Sequence, residues 1–333
     1  MWFSAIAMPQ WYLAGRSYYG HAGYTAARAR WSDPELLAKR DLSGKHYVVT
    51  GANAGLGFAI AEVLAKRRAV VHMVCRDAGR AETARHEIVE SAKAAGVTEP
   101  HVQVHLADIG SMESVRAFAE SFAKENAALH GLINNAGALF SEEARAKDGR
   151  EMTMAIALGG SYLLTGLLLP LLKNAPNGRV VNVSSGGQYL INSDRSDLLG
   201  EKNTGAAYNG TAAYSCAKRV QVELTKQWAA EPGAKGVIFH SMHPGWAVTP
   251  GATSSISDFV KKHGEMMRDM HQGADTAVWL AIADEPATRN GRFWLDREEA
   301  RTDMRLAGTS WSDEDRAQLW KKCEEACGWT IPK

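Results

Sequence analysis

The sequence has little net charge, few cysteines and no low-complexity tract, and each of these absences excludes a class of protein. Its 333 residues carry a formal net charge of +1, without a long run of one sign. We therefore expect neither a nucleic-acid surface nor a polybasic membrane patch. Four cysteines are too few for a disulfide framework, and Cys323 and Cys327 lack the C-x-x-C spacing of zinc sites. These absences predict a cytoplasmic protein with small-molecule partners.

The N-terminal segment differs in composition from the rest of the chain. Residues 1–32 include Trp2, Trp11 and Trp31, three arginines and no acidic residue. Four explanations are open: an aromatic arm packed on the domain, which we favour, a helix in peripheral contact with a membrane, a mitochondrial leader, or a secretory signal. We treat residues 1–40 as an N-terminal extension.

Apolar strands alternate with amphipathic helices through most of the remaining chain. The segments "HYVVT", "AVVHMVC" and "HVQVHL" read as strands, and helical apolar spacing follows each of the first two. This alternation predicts an α/β fold of the Rossmann type. We expect a doubly wound parallel sheet of about seven strands with helices on both faces, in a single domain over residues 41–333.

The segment from Met152 to Leu172 contains no charged side chain. A helix of this length is just long enough to cross a bilayer core. It lies between two predicted strands of one sheet, and a membrane span would put those strands on opposite sides of the bilayer. We therefore expect a buried crossover helix, and we expect Pro170 to end its regular part.

Four motifs stand in a specific order along the chain. A glycine loop T-G-x-x-x-G-x-G begins at Thr50, and "NNAG", "YSCAK" and "HPG" begin at Asn134, Tyr214 and His243. Together they resemble the short-chain dehydrogenase/reductase family over about residues 42–294. The segments "VHMVCRD", "SMHPGWAVTPG" and "GRFWLDR" resemble, within that family, the type called SDR family member 12, which is retinol-dehydrogenase-like.

The resemblance implies a hydride exchange between a nicotinamide and a carbonyl or secondary alcohol, for which we expect a lipophilic substrate. It assigns general acid/base catalysis to Tyr214, a nicotinamide-ribose contact to Lys218, and polarisation of the substrate oxygen to Ser185, with Ser184 as a strand or turn residue. Tyr214 and Lys218 are four residues apart and share one helix face. We expect the lysine cation to lower the pKa of the tyrosine.

The cofactor preference is read from the end of the second strand. Cys75 occupies the place where an NAD-dependent enzyme has an acid, and Arg76 follows it, which favours NADP(H) over NAD(H), although Asp77 is close by. Asp108 either contacts the adenine or caps the helix that begins near Ser111. The expected cofactor-binding residues are Gly51, Asn53, Gly55, Leu56, Gly57, Arg76, Asp108, Asn135, Ala136, Gly137, Tyr214, Lys218, Pro244, Gly245 and Thr249.

The chain departs from the family pattern at one position. Many members have an asparagine in the helix after "NNAG" that helps a proton relay through the lysine, and Ala157 stands there in this sequence. The alternative to an active enzyme is therefore a catalytically weak or inactive NADP(H)-binding sensor or scaffold.

Two long segments and the C-terminus complete the predictions. Residues 186–212 are expected to form a flap over the site, and residues 248–272, with Met266, Met267 and Met270, to control substrate entry. A helix over residues 312–327, with Ser312 as N-cap, is expected to pack on the domain or to form the seam of a homo-oligomer. The histidine pairs His101/His105 and His240/His243 lack a third ligand, so we expect no metal site.

Overall fold

The computed structural model describes residues 4–191 and 196–332, and one sheet lies at its centre. The strands are β1 (His46–Thr50), β2 (Val70–Cys75), β3 (His101–Leu106), β4 (Gly131–Asn134), β5 (Arg179–Val183), β6 (Ile238–Met242), β7 (Arg292–Leu295) and β8 (Glu298–Glu299). Their spatial order is β3-β2-β1-β4-β5-β6-β7-β8. The first seven pair in parallel and β8 pairs antiparallel to β7, so the predicted doubly wound parallel sheet is confirmed.

Helices cover both faces of this sheet. They are α1 (Ala7–Ala14), α2 (His21–Arg28), α3 (Leu36–Lys39), α4 (Gly55–Ala65), α5 (Ala78–Ala94), α6 (Met112–Glu125), α7 (Met152–Leu158), α8 (Thr165–Asn174), α9 (Gly210–Ala230), α10 (Pro250–Ser255), α11 (Ser257–His263), α12 (Met270–Ile282) and α13 (Asp313–Cys327). Helices α4, α5 and α12 share one apolar core with the sheet, and α6 to α9 with α13 share the other. Burial on both faces explains why the central strands read as continuous apolar runs.

The chain order of the strands reverses between β1 and β4, which are neighbours in the sheet. Crossovers on the two sides of this point run in opposite directions, and the loops that follow β1 and β4 diverge there. Ligands of open α/β sheets bind in the crevice that this divergence leaves at the carboxyl ends of the strands. The topology therefore places a candidate site beside Thr50 and Asn134.

The uncharged segment forms a continuous helix made of α7, a π-helical turn (Gly159–Leu164) and α8. Over Met152–Asn174 its mean hydropathy reaches 1.8, enough by length and composition to cross a membrane, yet 83% of that apolar window is buried inside the protein. The prediction that Pro170 ends the helix is wrong, because α8 continues to Asn174. Burial of Leu168, Leu169, Leu171 and Leu172 outweighs the one helical hydrogen bond that a proline removes.

The described part of the N-terminal segment packs on the domain. The backbone N–H of Ser4 donates to the carbonyl of Leu190 at 3.1 Å, and that of Trp246 to the carbonyl of Tyr19 at 2.7 Å. The indole of Trp31 donates to the backbone carbonyl of Asp296 at 2.9 Å. We call residues 4–31 the N-terminal arm. Trp2 lies outside the described residues.

The C-terminal helix α13 begins with a capping box. Ser312 Oγ accepts from the backbone N–H of Asp315 at 3.1 Å, while the carboxylate of Asp315 accepts from the backbone N–H of Ser312 at 2.8 Å. Leu319 and Cys323 are fully buried in the core that α9 also lines. The apolar face of α13 therefore packs against the core of this chain.

Candidate active site

One cavity of about 920 Å³ opens at the carboxyl ends of the strands. Its wall includes the three predicted catalytic side chains, those of Ser185, Tyr214 and Lys218. It also includes every predicted cofactor-binding residue except Gly57. Residues from the loops after β1, β2, β3, β4, β5 and β6 thus converge on one crevice, as the strand order requires.

The glycine loop between β1 and α4 forms the floor of this cavity. Gly51 and Gly55 have φ angles of +66° and +56°, which side chains other than glycine rarely adopt. Gly57 lies beneath the loop, where a Cβ would approach the carbonyl oxygen of Gly51 to 2.3 Å. The missing side chain of Gly57 thus lets α4 pack closely under the loop, and its predicted cofactor contact stays a prediction.

Asn135 and Thr50 join the glycine loop to the loop after β4. Thr50 Oγ1 accepts from the backbone N–H groups of Asn135 and Ala136 at 3.0 and 2.9 Å. Asn135 Nδ2 donates to the backbone carbonyls of Thr50 and Gly51 at 2.9 and 3.3 Å. These bonds hold the two loops in fixed relation, so the floor is formed before any ligand binds.

The ends of β2 and β3 form the far end of the cavity. Arg76 and Arg80 both line it, and Arg80 was missed by the sequence reasoning. Asp77 Oδ1 accepts from the backbone N–H of Arg80 at 2.8 Å and so caps α5. Asp108 Oδ1 accepts from the backbone N–H of Gly110 at 2.9 Å, whereas Ser111 caps α6. The N-cap interpretation of Asp108 is therefore wrong.

Helix α9 positions Tyr214 and Lys218. Asn209 caps it by accepting from the backbone N–H of Ala212 at 2.9 Å, and the two side chains follow on one face. The Nζ atom of Lys218 lies 5.5 Å from the centroid of the Tyr214 ring. Ser185 follows β5 and lines the cavity beside Tyr214, and its Oγ accepts from the backbone N–H of Gly187 at 3.1 Å. Ser184 also lines the cavity, but its hydroxyl donates to the backbone carbonyl of Lys218 at 2.8 Å.

Burial dominates the electrostatics of Tyr214 and Lys218. Burial raises the pKa of Tyr214, and the hydrogen bond from Ser185 only partly opposes it. Burial also lowers the pKa of Lys218 to about 7. In the protein alone, burial therefore outweighs the other influences on the pKa of Tyr214. The lowering expected from Lys218 together with an oxidised nicotinamide stays a prediction. Tyr214 is held as the neutral phenol, a proton donor.

Known proteins are similar to this chain in sequence. Residues 45–192 match the family model described as short chain dehydrogenase. Dehydrogenase/reductase SDR family member 12 of Homo sapiens is 36% identical over 316 residues, which cover 95% of this chain and 96% of the human protein. The chain belongs to the short-chain dehydrogenase/reductase family. Retinol dehydrogenase 12 of Bos taurus is 34% identical over 257 residues, covering 77% of this chain and 78% of that protein.

Solved structures of the family agree in fold. The crystal structure of an uncharacterized protein from Mycobacterium paratuberculosis matches with a TM-score of 0.67 at 25% identity, covering 89% of this chain and 98% of that one. A short-chain dehydrogenase from Shigella flexneri complexed with NADP matches with a TM-score of 0.59 at 21% identity, covering 77% and 98%. As a family member, this protein is an oxidoreductase that acts on CH–OH groups.

The short-chain dehydrogenase/reductase fold binds a nicotinamide cofactor, and the cavity fits one. The N-terminus of α4 faces it at Gly55, where backbone N–H groups favour an anionic pyrophosphate. A Cβ at Gly137 would lie 3.0 Å from Lys218 Nζ, so the loop after β4 approaches the lysine closely. Pro244, Gly245 and Thr249 line the opposite wall, after β6.

The substrate half of the cavity has an aromatic wall that the sequence reasoning missed. Trp246 follows β6, and its ring lies 5.4 Å from that of Trp11 in the N-terminal arm and 4.9 Å from that of Phe259 in α11. Met8 of the arm also lines the cavity. We call Met8, Trp11, Trp246 and Phe259 the aromatic wall. The tryptophan-rich N-terminus was the available signal, but its contact with Trp246 depends on the folded chain.

His243 supports the base of this wall as a neutral imidazole. Its Nδ1 accepts from the backbone N–H groups of Gly186 and Gly245 at 3.0 and 3.2 Å, which places the proton on Nε2. Burial lowers its pKa to about 3. Within residues 4–191 and 196–332, no group of three or more histidine, cysteine, aspartate or glutamate side chains could hold a metal ion.

The two predicted substrate segments lie at the cavity to different extents. In the first, Leu190 and Thr211 line it, while Leu198 and Leu199 are buried away from it, and residues 192–195 lie outside the described part of the chain. In the second, α10 and α11 border the cavity. Of the three methionines there, Met267 lines it, whereas Met266 and Met270 pack against apolar cores.

Proposed function

We propose that the protein is an NADP(H)-dependent oxidoreductase that reduces a lipophilic carbonyl compound or oxidises the corresponding secondary alcohol. The observation that carries the proposal is the meeting of Ser185, Tyr214 and Lys218 at one cavity, with the Nζ atom of Lys218 5.5 Å from the centroid of the Tyr214 ring. A phenol proton donor, a hydroxyl and an amine at one wall are the groups that carbonyl reduction needs.

Ser185, Tyr214 and Lys218 have separate roles at the substrate oxygen. The Ser185 hydroxyl donates a hydrogen bond to the carbonyl oxygen and polarises it. Tyr214, protonated at neutral pH because burial raises its pKa, delivers its proton to that oxygen as negative charge develops there. Lys218 stabilises the phenolate that remains. A bound nicotinamide supplies the hydride. In the reverse direction Tyr214 first loses its proton and then accepts the proton of the alcohol.

The preference for NADP(H) is supported by Arg76 and Arg80 at the far end of the cavity. A guanidinium is suited to the 2′-phosphate that distinguishes NADP from NAD. The carboxylate of the nearby Asp77 caps α5, and this bond competes with a contact to the ribose. Fluorescence titration with NADPH and with NADH measures the preference directly. Tighter binding of NADH would overturn it.

The preference for lipophilic substrates is supported by the aromatic wall and by the relatives named retinol dehydrogenase. A wall of indole and phenyl rings binds apolar molecules by burial of their surface. A panel of retinal, steroid and aliphatic carbonyls tests this preference by comparison of kcat/KM values.

Tyr214→Phe tests the catalytic assignment. It removes the proton donor and keeps the ring, so we expect kcat to fall on the order of a hundredfold or more. NADPH affinity should change little, because the phenyl ring still fills its space. Equal turnover by the parent and by Tyr214→Phe would sink the assignment.

A second candidate function is a nucleotide-binding sensor or scaffold with little or no catalysis. It is favoured by Ala157, which is buried in α7 where many relatives have a polar asparagine. This candidate predicts NADPH binding without turnover of any carbonyl on the panel, so the same two measurements separate it from the enzyme.

Peripheral membrane contact through the arm stays a prediction, as do cytoplasmic residence and homo-oligomer formation. Ile6, Leu13 and Tyr18 are exposed apolar side chains of the arm, and they offer a surface that a bilayer could cover. Sedimentation with anionic liposomes tests the contact. Loss of co-sedimentation in Leu13→Glu would support it, and equal sedimentation of both proteins would contradict it.

A further inference from the structure

The amine of Lys218 is held inside the protein by two oxygen atoms. Its Nζ donates to the backbone carbonyl of Val183 at 2.8 Å and to Gln221 Oε1 at 2.9 Å. A protonated amine has three N–H donors, so these two bonds leave one donor for the cavity that Lys218 lines. The direction of the free donor is therefore set by the two internal acceptors.

Gln221 is itself fixed in orientation. Its Nε2 donates to Ser161 Oγ at 3.1 Å, and both side chains are buried. Because the lysine amine donates in this contact, the glutamine must present its oxygen to Lys218 and its nitrogen to Ser161. The amide thus has one productive orientation, and Ser161 anchors it.

Ser161 lies in the π-helical turn, four residues after Ala157 in the same continuous helix. Four residues are about one turn, so Ser161 lies near Ala157 along the face that meets α9. Isolated π turns are frequent at functional sites. Ala157 has no polar side chain to contact Lys218. Ser161, one turn later, is instead connected to Lys218 through Gln221 on α9.

We propose that Gln221, anchored by Ser161, is a positioning residue that holds Lys218 in its catalytic place and stands in for a polar side chain at position 157. The proposal rests on the proposed function, since it assigns Lys218 a catalytic role. It explains how a chain with Ala157 keeps a correctly placed lysine.

The contact between Lys218 and Gln221 matters for the charge of the lysine because the other groups around the amine are uncharged. The groups that face it from β5, from the loop after β4 and from the π turn are neutral: the Val183 carbonyl, Gly137 and, through Gln221, Ser161. On its own helix, Tyr214 is the titratable neighbour. Burial alone accounts for the low pKa of Lys218, so hydrogen-bond acceptors are what keep its charged form populated.

The first experiment measures the lysine without nucleotide or substrate. Competitive labelling with acetic anhydride, followed by peptide mass spectrometry, gives the pH dependence of Lys218 reactivity in the full chain. Gln221→Met removes the acceptor at similar volume and should move the labelling midpoint to lower pH. Gln221→Glu adds an anion and should move it to higher pH, and Ser161→Ala should shift it in the same direction as Gln221→Met but by less.

The matched control is Thr225→Val. Thr225 lies one turn beyond Gln221 in α9, is equally buried, and bonds Asn182 and the backbone carbonyl of Gln221 but not the lysine amine. Its labelling midpoint should equal that of the parent. A midpoint that is unchanged in both Gln221 variants, each with a Tm near that of the parent, would overturn the proposal. If Gln221→Met does not fold, the labelling midpoints of Ser161→Ala and Gln221→Glu test the proposal.

The second experiment measures turnover. In Gln221→Met we expect kcat to fall on the order of tenfold to a hundredfold while the KM for the carbonyl changes little. Ala157→Asn should give no gain in kcat, because Lys218 already has its partner; a large gain would contradict the proposal. If the parent turns over no carbonyl, the proposed function fails, while the labelling midpoints still decide whether Gln221 controls Lys218.

Discussion

Arg268 forms a bidentate ion pair with Asp296, with nitrogen–oxygen distances of 2.6 and 2.7 Å. The same guanidinium donates to the backbone carbonyls of Tyr18 and Gly20, at 2.8 and 3.2 Å. Both charged side chains are buried. One cation therefore connects the segment before α12, the turn after β7 and the N-terminal arm, and so holds the aromatic wall of the cavity in place.

Removal of Arg268 should release the arm. Arg268→Met leaves the buried carboxylate of Asp296 without its partner, and we expect unfolding free energy to fall by about 3–5 kcal/mol. Trypsin should then cleave within the arm sooner than in the parent. Lys124→Met, which breaks an exposed pair with Glu120, is the control and should leave the unfolding free energy close to that of the parent. An arm equally resistant to trypsin in Arg268→Met would refute this role.

Trp11 should influence the choice of substrate. Trp11→Ala removes one face of the aromatic wall, and we expect KM for a bulky apolar carbonyl to rise on the order of tenfold, equivalent to about 1.4 kcal/mol of lost contact. KM for a small aliphatic carbonyl and the Kd for NADPH should change little. Trp31→Phe, also in the arm but outside the cavity lining, is the matched control. A uniform rise of KM for both substrates would argue against a specificity role.

Arg76 should discriminate between the two nicotinamide dinucleotides. Arg76→Ala removes a charge-assisted hydrogen-bond donor, so we expect the Kd for NADPH to rise on the order of tenfold to a hundredfold. The Kd for NADH should stay close to its parent value. Arg85→Ala, a half-buried position on α5 that does not line the cavity, should leave both constants unchanged. Equal loss of both dinucleotides would mean that Arg76 does not read the 2′-phosphate.

Buried histidines should make the protein unstable in mild acid. Burial lowers the pKa of His72 to about 3, of His240 to about 4 and of His243 to about 3. Below the unfolded pKa of 6.5 the unfolded chain binds protons at these positions and the folded chain does not, so stability is lost as pH falls. Each such group costs about 1.4 kcal/mol per pH unit. His271 acts in the opposite direction, because its bond to Glu62 raises its pKa.

Urea unfolding at pH 7 and at pH 5 measures this loss. His72 bonds His46 and His105 across β1, β2 and β3, at 3.0 Å on each side. His72→Gln should be less stable than the parent at pH 7 but should lose less stability between the two pH values. The exposed His86→Gln should follow the parent at both. Equal stability of the parent at pH 7 and pH 5 would contradict the prediction.

The fold was predictable because its signals are local and repeated. Alternating strands and amphipathic helices specify a parallel sheet, and β1, β2 and β3 lie where the apolar runs predicted them. The short strand β8 was not predicted. The turn before it contains Asp296 and Arg297 at φ angles of +53° and +62°, whereas a glycine at these positions would have indicated a hairpin. The end of α8 was misplaced because buried leucines override the proline rule at Pro170.

The residues of the candidate site were predictable where they belong to a motif with a fixed spacing along the sequence. Ser185, Tyr214 and Lys218 meet at one cavity because each follows or faces the carboxyl end of a strand whose place in the sheet is specified by topology. The N-cap alternative for Asp108 was wrong, because a helix cap depends on exact backbone position and Ser111 takes that place. Arg80 was missed because it belongs to the first turn of α5 and to no motif.

Sequence by itself determined the class of fold, the family and the chemical groups at the strand ends, because hydrophobic periodicity and motif spacing are properties of neighbours along the chain. Tertiary structure alone decided the charge states of Tyr214 and Lys218, the contact between Lys218 and Gln221, and the closing of the cavity by Trp11 of the arm. Burial and long-range contact set these features, and both arise only when distant segments pack together.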